Sequence, residues 1–112
     1  MTQIIHPAVL MPERDAEGYL VEPGDWNEDV ARVLAQDENI ELNDDHWDVL
    51  RFMREYYEEH QVIADARFAI KHLAGRVGRD AQKQLFVLFP YGYVKQACKI
   101  AGMRRPRAWS TG

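Results

Sequence analysis

One side chain in this sequence has the chemistry of a nucleophilic carrier. Cys98 is the single cysteine among 112 residues, and it stands in the run Lys95-Gln96-Ala97-Cys98-Lys99. Cations within one helical turn favour thiolate over thiol. A thiolate there accepts a sulfane sulfur or forms a mixed disulfide with a partner, and needs neither metal nor cofactor to do so. Ala97 and Ala101 leave that helix face small enough for a partner to approach. The other reading of Cys98 is a small hydrophobe packed at the edge of an apolar stripe, the usual fate of a free cysteine. One cysteine forms no intramolecular disulfide and fits a reducing cytoplasm.

The remaining candidates for chemistry are weak. His6, His46, His60 and His72 show no ligand spacing, so no metal site is expected. Glu55, Glu58 and Glu59 have the spacing of a solvated helix flank, with nothing nearby to hold one protonated. No phosphate loop, nucleophile elbow or dinucleotide fingerprint is present, so no cofactor and no autonomous active site are expected.

Charge offers a second kind of function. Residues 1–60 carry four basic groups against sixteen acids, and residues 61–112 carry ten against two. Either the halves attract each other, or the second half offers a basic face to an acidic protein, a nucleic acid or another anion. Gly75-Arg76-Val77-Gly78 has the form of an RNA-clamping loop but lacks the flanking strand pattern, and reads better as a helix end and turn. The helices on either side outline a helix-turn-helix decorated by Arg67, Lys71, Arg76, Arg79 and Lys83, which makes DNA an alternative partner. Arg104, Arg105, Arg107 and Trp109 follow the last helix in a stretch without helical or strand period. With Lys95 and Lys99 they form a candidate partner-binding set, the Trp as anchor and the cations for an acidic rim.

The elements that must position these residues follow from capping and period. Thr2-Gln3-Ile4-Ile5 and Gly18-Tyr19-Leu20-Val21 lean towards strand and predict a small N-terminal β-hairpin. Asp25 with Glu28 predicts a capped first helix, and Asn43 opens a second and longest one bearing Trp47, Leu50, Phe52, Met53, Tyr56 and Tyr57. His46 belongs to the N-terminal packing of that helix. A third helix spans about 65–73 and is broken by Gly75 to Gly78. A fourth is capped by Asp80, buried through Leu85, Phe86, Leu88 and Phe89, and stopped by Pro90. In a fifth helix Val94, Ala97, Cys98 and Ala101 share one stripe while Lys95, Gln96 and Lys99 face away, and Gly102 ends it. The expected class is α+β, mostly α: a hairpin and a bundle of about five helices over residues 1–102, with an arm over 103–112. A composition of 46% hydrophobic and 29% charged residues suits one globular domain rather than a disordered chain. No apolar run approaches the roughly 20 residues that span a bilayer, and the opening residues do not have the pattern of a signal peptide, so no membrane role is expected.

Several runs, in order, resemble the DsrC/TusE family of small sulfur-trafficking proteins. They are Asp15-Ala16-Glu17-Gly18-Tyr19-Leu20, Asp25-Trp26-Asn27-Glu28, Ile40-Glu41-Leu42 with His46-Trp47, and Arg51-Phe52-Met53-Arg54-Glu55-Tyr56-Tyr57. Leu88-Phe89-Pro90 and Lys95-Gln96-Ala97-Cys98-Lys99-Ile100-Ala101-Gly102 complete the set. The resemblance covers nearly the whole chain. It implies a hairpin with an orthogonal helical bundle and a mobile arm, a role as sulfur relay, sulfur carrier or sulfite-reductase-associated protein, and partners among sulfurtransferases and sulfite reductases. It also implies that Cys98 matches the cysteine of the family's Gln-Ala-Cys-Lys motif. The family's second arm cysteine, its principal sulfur carrier, lies eleven residues further on, where this chain has Trp109, and the usual Gly-Leu-Pro-Lys-Pro of the arm is Gly102-Met103-Arg104-Arg105-Pro106 here. The runner-up is a divergent paralogue that keeps the fold and regulates through protein or DNA contact.

Overall fold

Side-chain caps of asparagine and aspartate set where the chain turns helical. The computed structural model describes residues 11–106. They form α1 (Glu28–Asp37), α2 (Asp44–His60), α3 (Ala66–Val77) and α4 (Ala81–Leu88), followed by a π-helical segment, Tyr93–Cys98, that runs on into Lys99 and Ile100. None of these helices is long and apolar enough to cross a membrane.

The cap of α1 is Asn27, not Asp25. Its backbone is extended, as a cap requires, and its side chain accepts from the Val30 N–H at 2.9 Å. Asp25 is taken up by a short 3-10 turn, Pro23–Asp25, which Pro23 opens. Asn43 caps α2 as expected, and its box partner is His46. Asn43 Oδ1 accepts from the backbone of Asp45 and His46, while the Asn43 N–H donates to His46 Nδ1 at 3.0 Å. Because Nδ1 accepts, the ring proton sits on Nε2, which donates to the Leu88 carbonyl at 2.8 Å. The ring also meets Phe89 edge-on at 5.2 Å. One buried histidine thus ties the start of α2 to the end of α4.

α3 runs on past Leu73 to Val77. A side chain at Gly75 would meet nothing, so this glycine lies on an open face, where it costs about 1 kcal/mol against alanine and does not break the helix. Gly78, at φ +77°, ends it. Asp80 makes no side-chain cap to α4, because the 3-10 turn Gly78–Asp80 has already curled its backbone. α4 buries Ala81, Leu85 and Leu88, a stripe at i, i+4 and i+7. Phe86, expected in the core, lies off that stripe and is 60% exposed.

The α+β expectation is corrected by this structure: the described residues contain four α-helices, the π-helical segment and no strand. The pairing present among them is one isolated antiparallel bridge, Arg14 to Leu20, which is not the expected hairpin. It closes a tight loop in which Asp15 Oδ1 accepts from the N–H groups of Glu17 and Tyr19. A half-buried strand alternates its side chains between faces, but here the neighbours Tyr19 and Leu20 are both drawn into the core. The expected partner strand, residues 2–5, lies outside the described residues.

His46 makes stability depend on pH. Burial lowers its pKa from the ordinary 6.5. The folded state holds the ring neutral and the unfolded chain protonates it below about pH 6.5, so its contribution is complete above that pH and falls as the pH drops through it. We expect the denaturant midpoint to decline between about pH 7.5 and 5.5, and His46→Gln, which keeps a capping-box acceptor, to flatten that part of the profile. An unchanged slope in the variant would assign the acid sensitivity elsewhere.

Candidate functional site

The helix that carries Cys98 is held from all sides. It starts at Gly92, whose φ of +109° lets the chain reverse after Phe89. It then winds as a π-helix, a wider turn closed by i to i+5 bonds and frequent at functional sites. Tyr19 Oη donates to the Val94 carbonyl at 3.0 Å, and Trp26 Nε1 donates to that of Ile100 at 2.8 Å. Arg54, lying 4.6 Å over the Trp26 ring, donates to the carbonyls of Ala101 and Pro23. The helix closes in a Schellman motif: the Gly102 N–H donates to the Lys99 carbonyl and the Met103 N–H to that of Cys98, both at 3.0 Å. Gly102 has φ +80°, and a Cβ there would collide with Trp26.

The cysteine helix is enclosed on its polar side as well. Gln96, expected outside with Lys95 and Lys99, is 1% exposed. Its Oε1 accepts from the Tyr91 N–H at 2.9 Å and its Nε2 donates to Glu38 Oε1 at 3.1 Å. The other oxygen of Glu38 takes Lys99 Nζ at 3.1 Å, and Lys99 lies 5.1 Å over the Tyr19 ring. One carboxylate at the end of α1 thus anchors both polar side chains that bracket the cysteine.

Cys98 itself is fully buried, and desolvation pushes its thiol up to about 12. The sequence reading had Lys95 and Lys99 favouring the thiolate. The structure corrects this: Lys99 is engaged by Glu38, and Lys95 is exposed to solvent. In the folded chain Cys98 is a protonated, covered thiol. The stripe it was placed on is real, since Val94, Ala97, Cys98 and Ala101 are all buried.

The start of the arm is pinned to the body. Met103 is fully buried, Arg104 Nε donates to the Val21 carbonyl at 2.9 Å, and Arg105 Nε pairs with Glu17 at 2.9 Å. Between this root and the cysteine helix runs an open groove of about 780 Å³, lined by Lys95, by the pairs Lys99–Glu38 and Arg105–Glu17, and by Tyr19, Tyr91 and Val94. Three of the candidate partner-binding residues therefore meet in one place. Arg104 points to Val21 and does not line it, and Arg107 and Trp109 lie outside the described residues.

The basic set for DNA does not form one face of free cations. Arg67 is bonded to its own cap Asp65, and Arg76 to Asp45. The outer side of α4 presents Phe86 and Val87, at 60% and 63% exposure, where a DNA backbone would need donors.

Sequence reasoning missed the clamp of Trp26, Arg54, Tyr19 and Glu38. Its one available signal was Gly102, a glycine whose missing side chain makes room for a distant indole.

A family model described as DsrC like protein matches residues 10–108. The chain belongs to this DsrC-like family. The Haemophilus influenzae sulfurtransferase TusE homolog is 43% identical over 96 residues, which is 84% of this chain and 88% of the relative. Sulfurtransferase TusE of Escherichia coli is 42% identical with the same shares. Among solved structures, the oxidized gamma-subunit of dissimilatory sulfite reductase (DsrC) from Archaeoglobus fulgidus superposes with a TM-score of 0.82 at 33% identity, covering 88% of this chain and 92% of that one. DsrC of Allochromatium vinosum gives 0.74 at 42% identity, covering 87% and 88%. These relatives do not favour the helix-turn-helix reading.

Two outcomes test the geometry. Alkylation of Cys98 in the native protein is expected to be slow at pH 8, where a thiol with a pKa of about 12 is only about one part in ten thousand thiolate, and fast in denaturant. Gly102→Ala is expected to lose about 1–3 kcal/mol of stability through its positive φ, with the collision at Trp26 pushing towards the upper end. A neutral substitution would mean that the Trp26 clamp yields.

Proposed function

We infer that this chain is a sulfur-relay protein of sulfur metabolism, of the DsrC/TusE type. The observation that carries this is a family match over residues 10–108 together with a Gln-Ala-Cys-Lys motif kept intact on a clamped helix. Its partners are proteins of the sulfurtransferase or sulfite-reductase kind. We assign its working place to the reducing cytoplasm, the reading a single free thiol supports. The part that meets the partner is the groove at the arm root, where Lys95 stands beside the pairs Lys99–Glu38 and Arg105–Glu17, with residues 103–112 as the arm.

Cys98 is the sulfur acceptor in this reading. The step is a thiol–persulfide exchange. The Cys98 thiolate attacks the outer sulfur of a donor persulfide, the donor S–S bond breaks, the donor leaves as thiolate, and Cys98 becomes the persulfide. The proton released from Cys98 passes to the departing thiolate or to water, and no net oxidation occurs. A covered thiol cannot begin this step, so docking must first open the segment Tyr93–Cys98. Gate and carrier are then the same helix. Small donors are excluded, and only a partner that engages the groove unloads its sulfur here.

The test is intact mass spectrometry of the reduced full-length protein, with Cys98→Ser as control. Exposure to inorganic polysulfide is expected to add no sulfur, and exposure to a persulfidated sulfurtransferase to add one sulfur mass that the variant lacks. Equal loading by both donors would remove the gate, and no loading by the protein donor would remove Cys98 as acceptor.

A further inference from the structure

The outer face of α3 and α4 exposes apolar surface above the core. Phe86 and Val87 project from α4 at 60% and 63% exposure. Beside them an apolar groove of about 360 Å³ opens between the two helices, lined by Ile70, Leu85, Phe86 and Phe89 with Arg67 at its rim. That volume lies at the lower end for ligand-sized pockets and suits one or two bulky side chains. The groove shares no lining residue with the one at the arm root, and Tyr93, the first residue of the cysteine helix, closes its inner end.

Charge fixes what would fill it. Asp65, the acid at this groove, is already bonded to Arg67. Lys71 stands one turn beyond Arg67 on α3, and Lys83 one turn before Phe86 and Val87 on α4. Both are exposed, and neither has an acidic partner among the described residues. An occupant that seats an apolar side chain here gains most by bringing carboxylates for these two lysines. Nucleic acid fits poorly, because Phe86 and Val87 occupy the positions where phosphates would need donors.

We propose that the α3–α4 groove is a docking surface for an acidic amphipathic helix of a partner protein, which places a bulky apolar side chain between Ile70, Leu85, Phe86 and Phe89 and sets carboxylates against Lys71 and Lys83. The mode is a helix laid in a groove, with an apolar anchor and an ionic rim. It goes beyond the relay reading and holds whether or not Cys98 carries sulfur.

The test is fluorescence anisotropy with the full-length protein and a labelled synthetic amphipathic peptide bearing Leu and Phe on one face and Glu on the other. The comparison probes are the same peptide with each Glu replaced by Lys, a duplex DNA, and phosphatidylglycerol vesicles. The acidic peptide is expected to bind about tenfold or more tightly than its lysine counterpart. Phe86→Ser and Lys83→Glu are each expected to weaken it about tenfold, while Lys95→Glu, in the other groove, leaves it unchanged. Both tested side chains are exposed, and thermal melting checks that the variants stay folded. Absence of acidic-peptide binding, binding indifferent to Phe86→Ser, or a preference for the lysine peptide, DNA or vesicles would each overturn the proposal.

Discussion

The hydrogen bonds to the carbonyl end of the cysteine helix are the constraint on which the rest of this molecule depends. A helix leaves its last carbonyls without partners, and this helix ends in the core, out of reach of water. Each such group left bare costs about 1–3 kcal/mol. The Schellman turn satisfies the carbonyls of Cys98 and Lys99, Trp26 that of Ile100, and Arg54 that of Ala101. These donors come from the entry to α1 and the middle of α2. Satisfying one helix end therefore fixes how three parts of the chain meet, and Gly102 is the point where they converge.

The charge asymmetry finds a physical use in the same region. Lys99 with Glu38, Arg104 with Glu22, Arg105 with Glu17 and Arg76 with Asp45 all join the basic second half to the acidic first half. The reading in which the halves attract each other accounts for these pairs. Most are exposed, and such pairs contribute little to stability. Their effect is one of placement: they hold the arm root against the loop at Glu17 and the cysteine helix against α1. Lys71, Lys83 and Lys95 lie outside this arrangement, so the basic character that faces outward is smaller than the composition suggests.

Local rules read well from sequence where one residue decides the outcome. Asn43 capped α2, Pro90 followed the end of α4, and Gly102 ended the last helix. They failed where two candidates competed. Asn27 displaced Asp25 as a cap because a proline-led turn absorbed the aspartate. Residues 18–21 form no strand: Tyr19 and Leu20 are buried side by side, a pattern set by tertiary packing and not by strand period. The burial of Gln96 was invisible for a different reason: Tyr91 and Glu38, which enclose it, reach it through tertiary packing that no helical wheel shows. The environment of Cys98 was misread through its sequence neighbours. Adjacent lysines argue for a thiolate only when they face the sulfur, and Glu38, sixty residues upstream, turns one of them aside.

The depth of Cys98 also bears on damage. Peroxide and soft metal ions react with the thiolate, and overoxidation to sulfinic and sulfonic acids destroys a sulfur carrier irreversibly in most settings. A thiol sealed under the core and held protonated is shielded from that chemistry while the protein waits. On the relay mechanism proposed above, oxidants meet this sulfur only during the short interval in which a partner has it uncovered.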